Sequence, residues 1–112
     1  MSPPDKLPSI THLQFLVLGM LRDGPHSGRE IRAELARHRV RRTAPAFYQM
    51  MARLEDAGFV DGRYNQKVVE AQLIKERHYC IRPAGLRAWS LTRDFYLAAL
   101  DPLKLAPEHG NG

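Results

Sequence analysis

The sequence holds a single cysteine, Cys80, so one chain can build neither an internal disulfide framework nor a redox pair. No hydrophobic run approaches the roughly 20 residues needed to span a bilayer. The opening "MSPPDKLPS" lacks the basic start and apolar core of a secretion signal. There is no internal repeat and no low-complexity tract. The histidines, His12, His26, His38, His78 and His109, show no metal-ligand spacing with one another or with Cys80, and neither a glycine-rich phosphate loop nor a nucleophile motif is present. These absences argue against a stapled secreted domain, a membrane protein and an enzyme. They lead to the expectation of a cytoplasmic protein with no cofactor and no membrane partner.

What is present suits one folded unit. A chain of 112 residues can bury one modest core, and 44% hydrophobic with 26% charged residues is the balance of a globular domain. Seventeen Lys and Arg against twelve Asp and Glu leave a net charge of +5. That favours a polyanion as partner, with nucleic acid ahead of an anionic membrane surface. Charge alone decides little, so the positions of the cations carry the argument.

The proline-rich residues 1–9 read as a flexible arm, and residues 101–112, with two prolines and two glycines, as a flexible tail. Thr11 and Gln14 have capping-box spacing, with Ile10 and Phe15 able to staple the helix start. The helix they open is apolar nearly all round from Leu13 to Leu21 and is therefore expected to be central. It ends at "RDGP". Ser27 and Glu30 repeat the capping-box spacing and open an amphipathic second helix, "SGREIRAELARHR". A third helix begins near Thr43 or Ala44 with Pro45 in its first turn. Phe47, Met50, Met51 and Leu54 form its buried stripe at i, i+3, i+4, i+7, while Gln49, Ala52, Arg53 and Asp56 point elsewhere. Gly58 suits the residue just past its end, with Phe59 folding back on the last turn.

Residues 59–81 are rich in β-formers and read as a hairpin, with "EA" a poor turn signal and Gly62 a candidate bulge. Pro83 opens a last helix running to about Leu100. Arg87, Ser90 and Asp94 form its one polar stripe, and the rest is more apolar than a single small core needs, which implies a second chain. The fold class expected is mainly α with a small β-hairpin: a winged helix-turn-helix of three helices and a two-stranded wing over residues 10–82, followed by a C-terminal dimerisation helix over 83–100.

In "LVLGMLRDGPHSGREI", "FYQMMARLEDAGFV" and "RHYCIRPAG" the chain resembles the PadR family of winged helix-turn-helix transcriptional regulators, from roughly Leu13 to Leu100. The resemblance implies a dimeric DNA-binding regulator, usually a repressor, whose first and last helices build the dimer. Several members also bind flat aromatic or cationic effectors near the dimer interface. Tyr48 matches the family's recognition-helix tyrosine, Leu54 and Glu55 its "LE" pair, and Gly58 its helix-ending glycine. Tyr79 and Gly85 match the second wing strand and the opening of the last helix. Arg29, Pro45, Gln49 and Arg82 depart from the residues usual at their positions.

The third helix of a winged helix docks in the major groove while the hairpin reaches neighbouring backbone or minor groove. Tyr48, Gln49 and Arg53 are therefore the first candidates for DNA contact. Gln pairs with adenine, Arg with guanine, and a tyrosine hydroxyl holds a phosphate. The basic run Arg37, His38, Arg39, Arg41 and Arg42, leading into Thr43, stands where phosphate anchors are needed. Arg63, Lys67, Lys75 and Arg77 on the hairpin are further candidates, although strand alternation sends only some of them towards DNA. Leu13, Leu86, Trp89, Phe95, Tyr96, Leu97 and Leu100 are candidates for the dimer interface or an effector pocket within it. A different reading is a protein-interaction module that docks through the apolar hairpin bend of Val68, Val69, Leu73 and Ile74.

Overall fold

A computed structural model describes residues 7–101. The order is α1 (His12–Leu21), β1 (His26–Ser27), α2 (Gly28–Arg37), α3 (Ala44–Asp56), β2 (Val60–Val69), β3 (Gln72–Ile81) and α4 (Pro83–Leu100). The expected helices and hairpin are present, and the chain has a winged-helix fold. The first six residues of the expected arm, and the tail beyond Asp101, lie outside the described residues.

Both capping boxes form. The Thr11 hydroxyl accepts from the Gln14 N–H at 3.1 Å while the Thr11 N–H donates to the Gln14 side chain at 2.9 Å. Ser27 and Glu30 exchange the same two bonds at 3.0 and 2.8 Å. Thr43 caps α3 by accepting from the Ala46 N–H, and Pro45 sits in the first turn. At the other end of α3, Gly58 has φ 78°. The Phe59 N–H reaches back to the Leu54 carbonyl, so both residues do what their positions suggested. Helix α2 ends the same way without a glycine: Arg39 takes φ 63° and the Val40 N–H bonds to the Leu35 carbonyl.

The sheet differs from expectation in having three strands, in the order β1, β3, β2. His26 and Ser27 pair with Tyr79 and His78, and a two-residue strand is too short to show any periodicity in sequence. The β2–β3 register runs unbroken from Val60 opposite Ile81 to Val69 opposite Gln72, so Gly62 marks no bulge. The bend is a two-residue turn with both Glu70 (φ 51°) and Ala71 (φ 63°) left-handed, as a type I′ turn demands. That geometry favours Asn-Gly, which explains why "EA" gave so little turn signal.

The core is built from Val17, Leu18 and Leu21 of α1, Ile31 and Leu35 of α2, Phe47, Met51 and Leu54 of α3, Val60 and Tyr79 of the sheet, and Trp89 of α4. Met50, expected in the buried stripe, is half-buried and packs against this cluster. Helix α4 joins the core through Trp89, whose ring stacks on Phe15 at 6.0 Å and has the guanidinium groups of Arg22 and Arg93 at 4.7 and 5.0 Å from its centre. No helix among the described residues is long and apolar enough to cross a membrane.

Because Glu70 and Ala71 hold left-handed backbone without being glycine or asparagine, Glu70→Asn combined with Ala71→Gly should stabilise the protein. The expected gain is about 1 kcal/mol per position, read as a higher thermal midpoint; a fall would contradict the assigned turn.

Candidate nucleic-acid interface

Helix α3 turns Phe47, Met51 and Leu54 into the core, which leaves Tyr48, Gln49, Ala52, Arg53 and Asp56 exposed on one continuous face. Gln49 and Arg53 lie one turn apart, and neither makes a side-chain hydrogen bond or ion pair among the described residues. An amide that can serve adenine and a fork that can serve guanine are thus presented together, unengaged. Tyr48 is placed differently. Its ring meets Phe47 edge-on at 5.0 Å, and its hydroxyl rests over Gly28 at the start of α2. It lines a cleft of about 430 Å³ between α3 and the wing, together with Arg29, Tyr64, Lys75 and Arg77.

The basic connection divides into two parts. Glu34 accepts from Arg37 at 3.0 Å and lies 3.2 Å from His38, so two of the five candidate basic residues already have an acid beside them. Arg39, Arg41 and Arg42 are exposed, and none has an acidic partner among the described residues. The Arg42 carbonyl accepts from the Arg32 guanidinium at 3.3 Å, which ties the loop back to α2 just before Thr43. Three free cations therefore sit immediately ahead of the helix that carries Gln49 and Arg53.

Strand alternation splits the wing cations, as the register requires. Tyr64 stands opposite Arg77 and Gln66 opposite Lys75, on the face towards α3. Arg63 and Lys67 lie on the other face, opposite His78 and Ile74. Lys67 approaches Glu76 at 3.5 Å, a carboxylate that also lies 3.4 Å from His78 and 3.9 Å from Arg29. Lys75 lies over the Tyr64 ring at 4.5 Å. Arg63 has no acidic partner among the described residues. Arg77 donates to Glu55 at 2.7 Å. Burial pulls the Arg77 guanidinium down, but the hydrogen bond and charge of Glu55 outweigh it and the net shift is upward.

Sequence reasoning did not anticipate Arg29 beside Tyr48, nor the pairing of Arg77 with Glu55. Both depend on elements far apart in the chain. Among the described residues, no group of three His, Cys, Asp or Glu side chains could hold a metal ion.

The dimer or effector candidates also separate. Trp89 is buried within the monomer and Leu13 packs against the same core. Leu86, Phe95, Tyr96, Leu97 and Leu100 remain exposed, Leu100 by 81%. Leu86, Leu97 and Leu100 fall along one flank of α4, while Phe95 and Ala99 fall along another. Tyr96, Ala99 and Leu100 share with His12, Phe15 and Leu16 of α1 an apolar hollow of about 370 Å³.

No family model and no curated protein matches the chain. Solved structures do. A PadR family transcriptional regulator from Eggerthella lenta is 25% identical with a TM-score of 0.65, covering 81% of this chain and 77% of that one. A PadR family regulator from Clostridium difficile is 15% identical with a TM-score of 0.63, covering 86% of this chain and 100% of that one. The Bacillus subtilis PadR, solved in complex with operator DNA, is 20% identical with a TM-score of 0.60 over 71% of this chain, which spans 46% of that protein. The chain has the PadR-like winged-helix fold.

Tyr79 offers a pH test of the sheet's seat in the core. Burial pushes its hydroxyl from an ordinary 10.0 up to about 12. A raised folded value means that the unfolded chain loses this proton first as pH rises. The stability tied to the neutral phenol is therefore complete below about pH 10 and is lost towards pH 12. Tyr79→Phe should flatten that decline relative to the parent in chemical unfolding; identical slopes would contradict a buried phenol.

Proposed function

We propose that the chain is a sequence-specific DNA-binding transcriptional regulator, a non-enzymatic cytoplasmic repressor that acts as a homodimer on a partly palindromic operator. The observation that carries this reading is the exposed, unengaged pair Gln49 and Arg53 on α3, preceded by the free cations Arg39, Arg41 and Arg42, in a fold shared with PadR regulators. Helix α3 enters the major groove, where Gln49 and Arg53 meet base edges. Arg41, Arg42 and Thr43 hold the backbone on one side, with Tyr48 at the phosphate bordering the wing cleft. Arg63, Lys67 and Lys75 lie on the wing, which follows the adjacent groove.

The exposed leucines and aromatics of α4, with Leu16 of α1, form the surface on which a second copy packs. Two-fold symmetry then sets the half-sites about one helical turn, or a multiple of it, apart. The apolar hollow lined by Phe15, Leu16 and Tyr96 would receive a small aromatic or cationic effector whose binding changes the angle between the two reading heads. One observation favours a second reading. Val68 (71% exposed) and Leu73 (67%) leave the wing tip apolar, as a docking site for a protein partner would be.

Arg53→Ala should relax base preference at one position of each half-site, costing about 1–3 kcal/mol on the preferred duplex. Arg41→Ala should weaken all duplexes alike and make the log–log salt slope shallower by about 0.9 for each phosphate that Arg41 neutralises in the parent complex. Competition binding at several salt concentrations separates the two; retained affinity in both variants would remove α3 and its anchor from the interface, whereas salt-insensitive partner binding abolished by Val69→Asp would favour the second reading.

Leu97→Asp should shift the assembly from dimer to monomer in light scattering while leaving helical content unchanged, because Leu97 is exposed within the monomer. An unaltered mass would place the interface elsewhere.

A further inference from the structure

We infer that the ion pair between Glu55 and Arg77 is a clamp that fixes the wing's angle against the recognition helix, so that Arg77 serves DNA binding as a positioning residue and not as a phosphate contact. The inference rests on the reading of the chain as a DNA-binding winged helix. It concerns a part of the site that sequence alone assigned to direct contact.

The core already holds the base of the hairpin to α3 through Val60 and Tyr79, and the pair adds a polar tie further out, where the hairpin leaves the core. Glu55 lies in the last turn of α3 and Arg77 lies on β3. Their 2.7 Å bond is the one ion pair between α3 and the hairpin among the described residues. Both side chains are only 25% exposed, so the bond is sheltered as few surface pairs are. The Arg77 guanidinium also lies 4.8 Å from the Tyr64 ring centre and 5.9 Å from that of Tyr79, which limits the directions it can take. With Glu55 bonded to its Nη2, the charge of Arg77 is already offset, which weakens the pull of its remaining N–H donors on a phosphate.

Gly62 makes the pair possible. It stands opposite Tyr79 on β2, and a Cβ there would lie 2.8 Å from both Arg77 Nη2 and Glu55 Oε1. A glycine inside a strand otherwise weakens it, and a close approach of other groups is a recognised reason for one. At this position the groups that approach are the two partners of the clamp.

The consequence is geometric. Beyond Tyr64 and Arg77 the hairpin projects for five further residue pairs, from Asn65 opposite Glu76 to Val69 opposite Gln72. A small change of angle at the clamp is therefore magnified at Lys75, Lys67 and the tip. With the clamp intact, these groups meet the duplex at one fixed distance from α3. Without it, the wing's cations reach the backbone only part of the time.

The test compares the parent with Glu55→Ala, Arg77→Ala, the double variant, the exchanged pair Glu55→Arg with Arg77→Glu, and Gly62→Ser, which keeps both charges but crowds them. Two readouts are needed: amide hydrogen exchange along β2 and β3 in the free protein, and affinity with its salt slope for a duplex selected by the parent. Each single variant, Gly62→Ser included, should speed exchange along the hairpin while α1 and α2 keep their protection. Glu55→Ala and Arg77→Ala should each weaken duplex binding on the order of tenfold and lower the slope alike. The double variant should cost no more than either single, and the exchanged pair should recover part of the loss. Tighter or equal binding by Glu55→Ala, with a loss of slope confined to Arg77→Ala, would make Arg77 a phosphate contact and overturn the inference. Unchanged exchange in both singles would overturn the clamp whatever the DNA result. A parent that binds no duplex would instead remove the DNA reading and leave the clamp to the exchange data.

Discussion

Helix α1 has almost no polar side to give to water, and covering it dictates where the other elements go. Val17, Leu18 and Leu21 are fully buried, so α2, α3 and the sheet must close over one side while α4 returns to close another. The stack of Trp89 on Phe15 closes the α4 side. An edge contact of Tyr96 with Phe15 at 5.8 Å and a tilted one with His12 at 5.9 Å extend the seam towards the start of α1. The surface left over, Leu16 with the hollow beside it, is continuous with the exposed leucines of α4. The described residues leave that surface uncovered, which is consistent with the proposed association with a second copy.

The acids divide the basic residues into a paired set and an unpaired one. Glu34 serves Arg37 and His38 within the last turns of α2. Glu55 serves Arg77 across α3 and the wing, and Glu76 sits amid Arg29, Lys67 and His78. Among the described residues, the arginines and lysines left without acids are Arg39, Arg41 and Arg42 ahead of α3, Arg53 on its open face, Arg63 and Lys75 on the wing, and, away from these, Arg32 on α2 and Arg87 on α4. Most of the unpaired arginines and lysines thus lie on α3, the connection before it and the wing, a distribution suited to a polyanion.

Local chemistry was readable and non-local chemistry was not. The capping boxes at Thr11 and Ser27, the end of α3 at Gly58, the first-turn Pro45 and the start of α4 at Pro83 each depend on residues within one or two turns, and each stands where spacing put it. The strand His26–Ser27 was invisible because two residues have no period. The Glu70–Ala71 turn was blurred because neither residue favours the left-handed backbone it adopts. Gly62 suggested a bulge, yet its register is regular, since the reason for the glycine lies on α3 and β3. Trp89 illustrates the same limit in the candidate site: an aromatic on an over-apolar helix suits an interface or a core equally, and only the position of α1 places it inside the monomer.

The account stands or falls on whether α3 and its cations read DNA as a symmetric pair. The most direct measurement is selection of duplexes from a random pool by the purified protein, with the mass of the bound species determined on the enriched sequence. The account predicts an inverted repeat whose half-sites are separated by about one helical turn or a multiple of it, bound by two copies of the chain. Failure to enrich any sequence, or enrichment of a non-repeating site bound by a single copy, would contradict it.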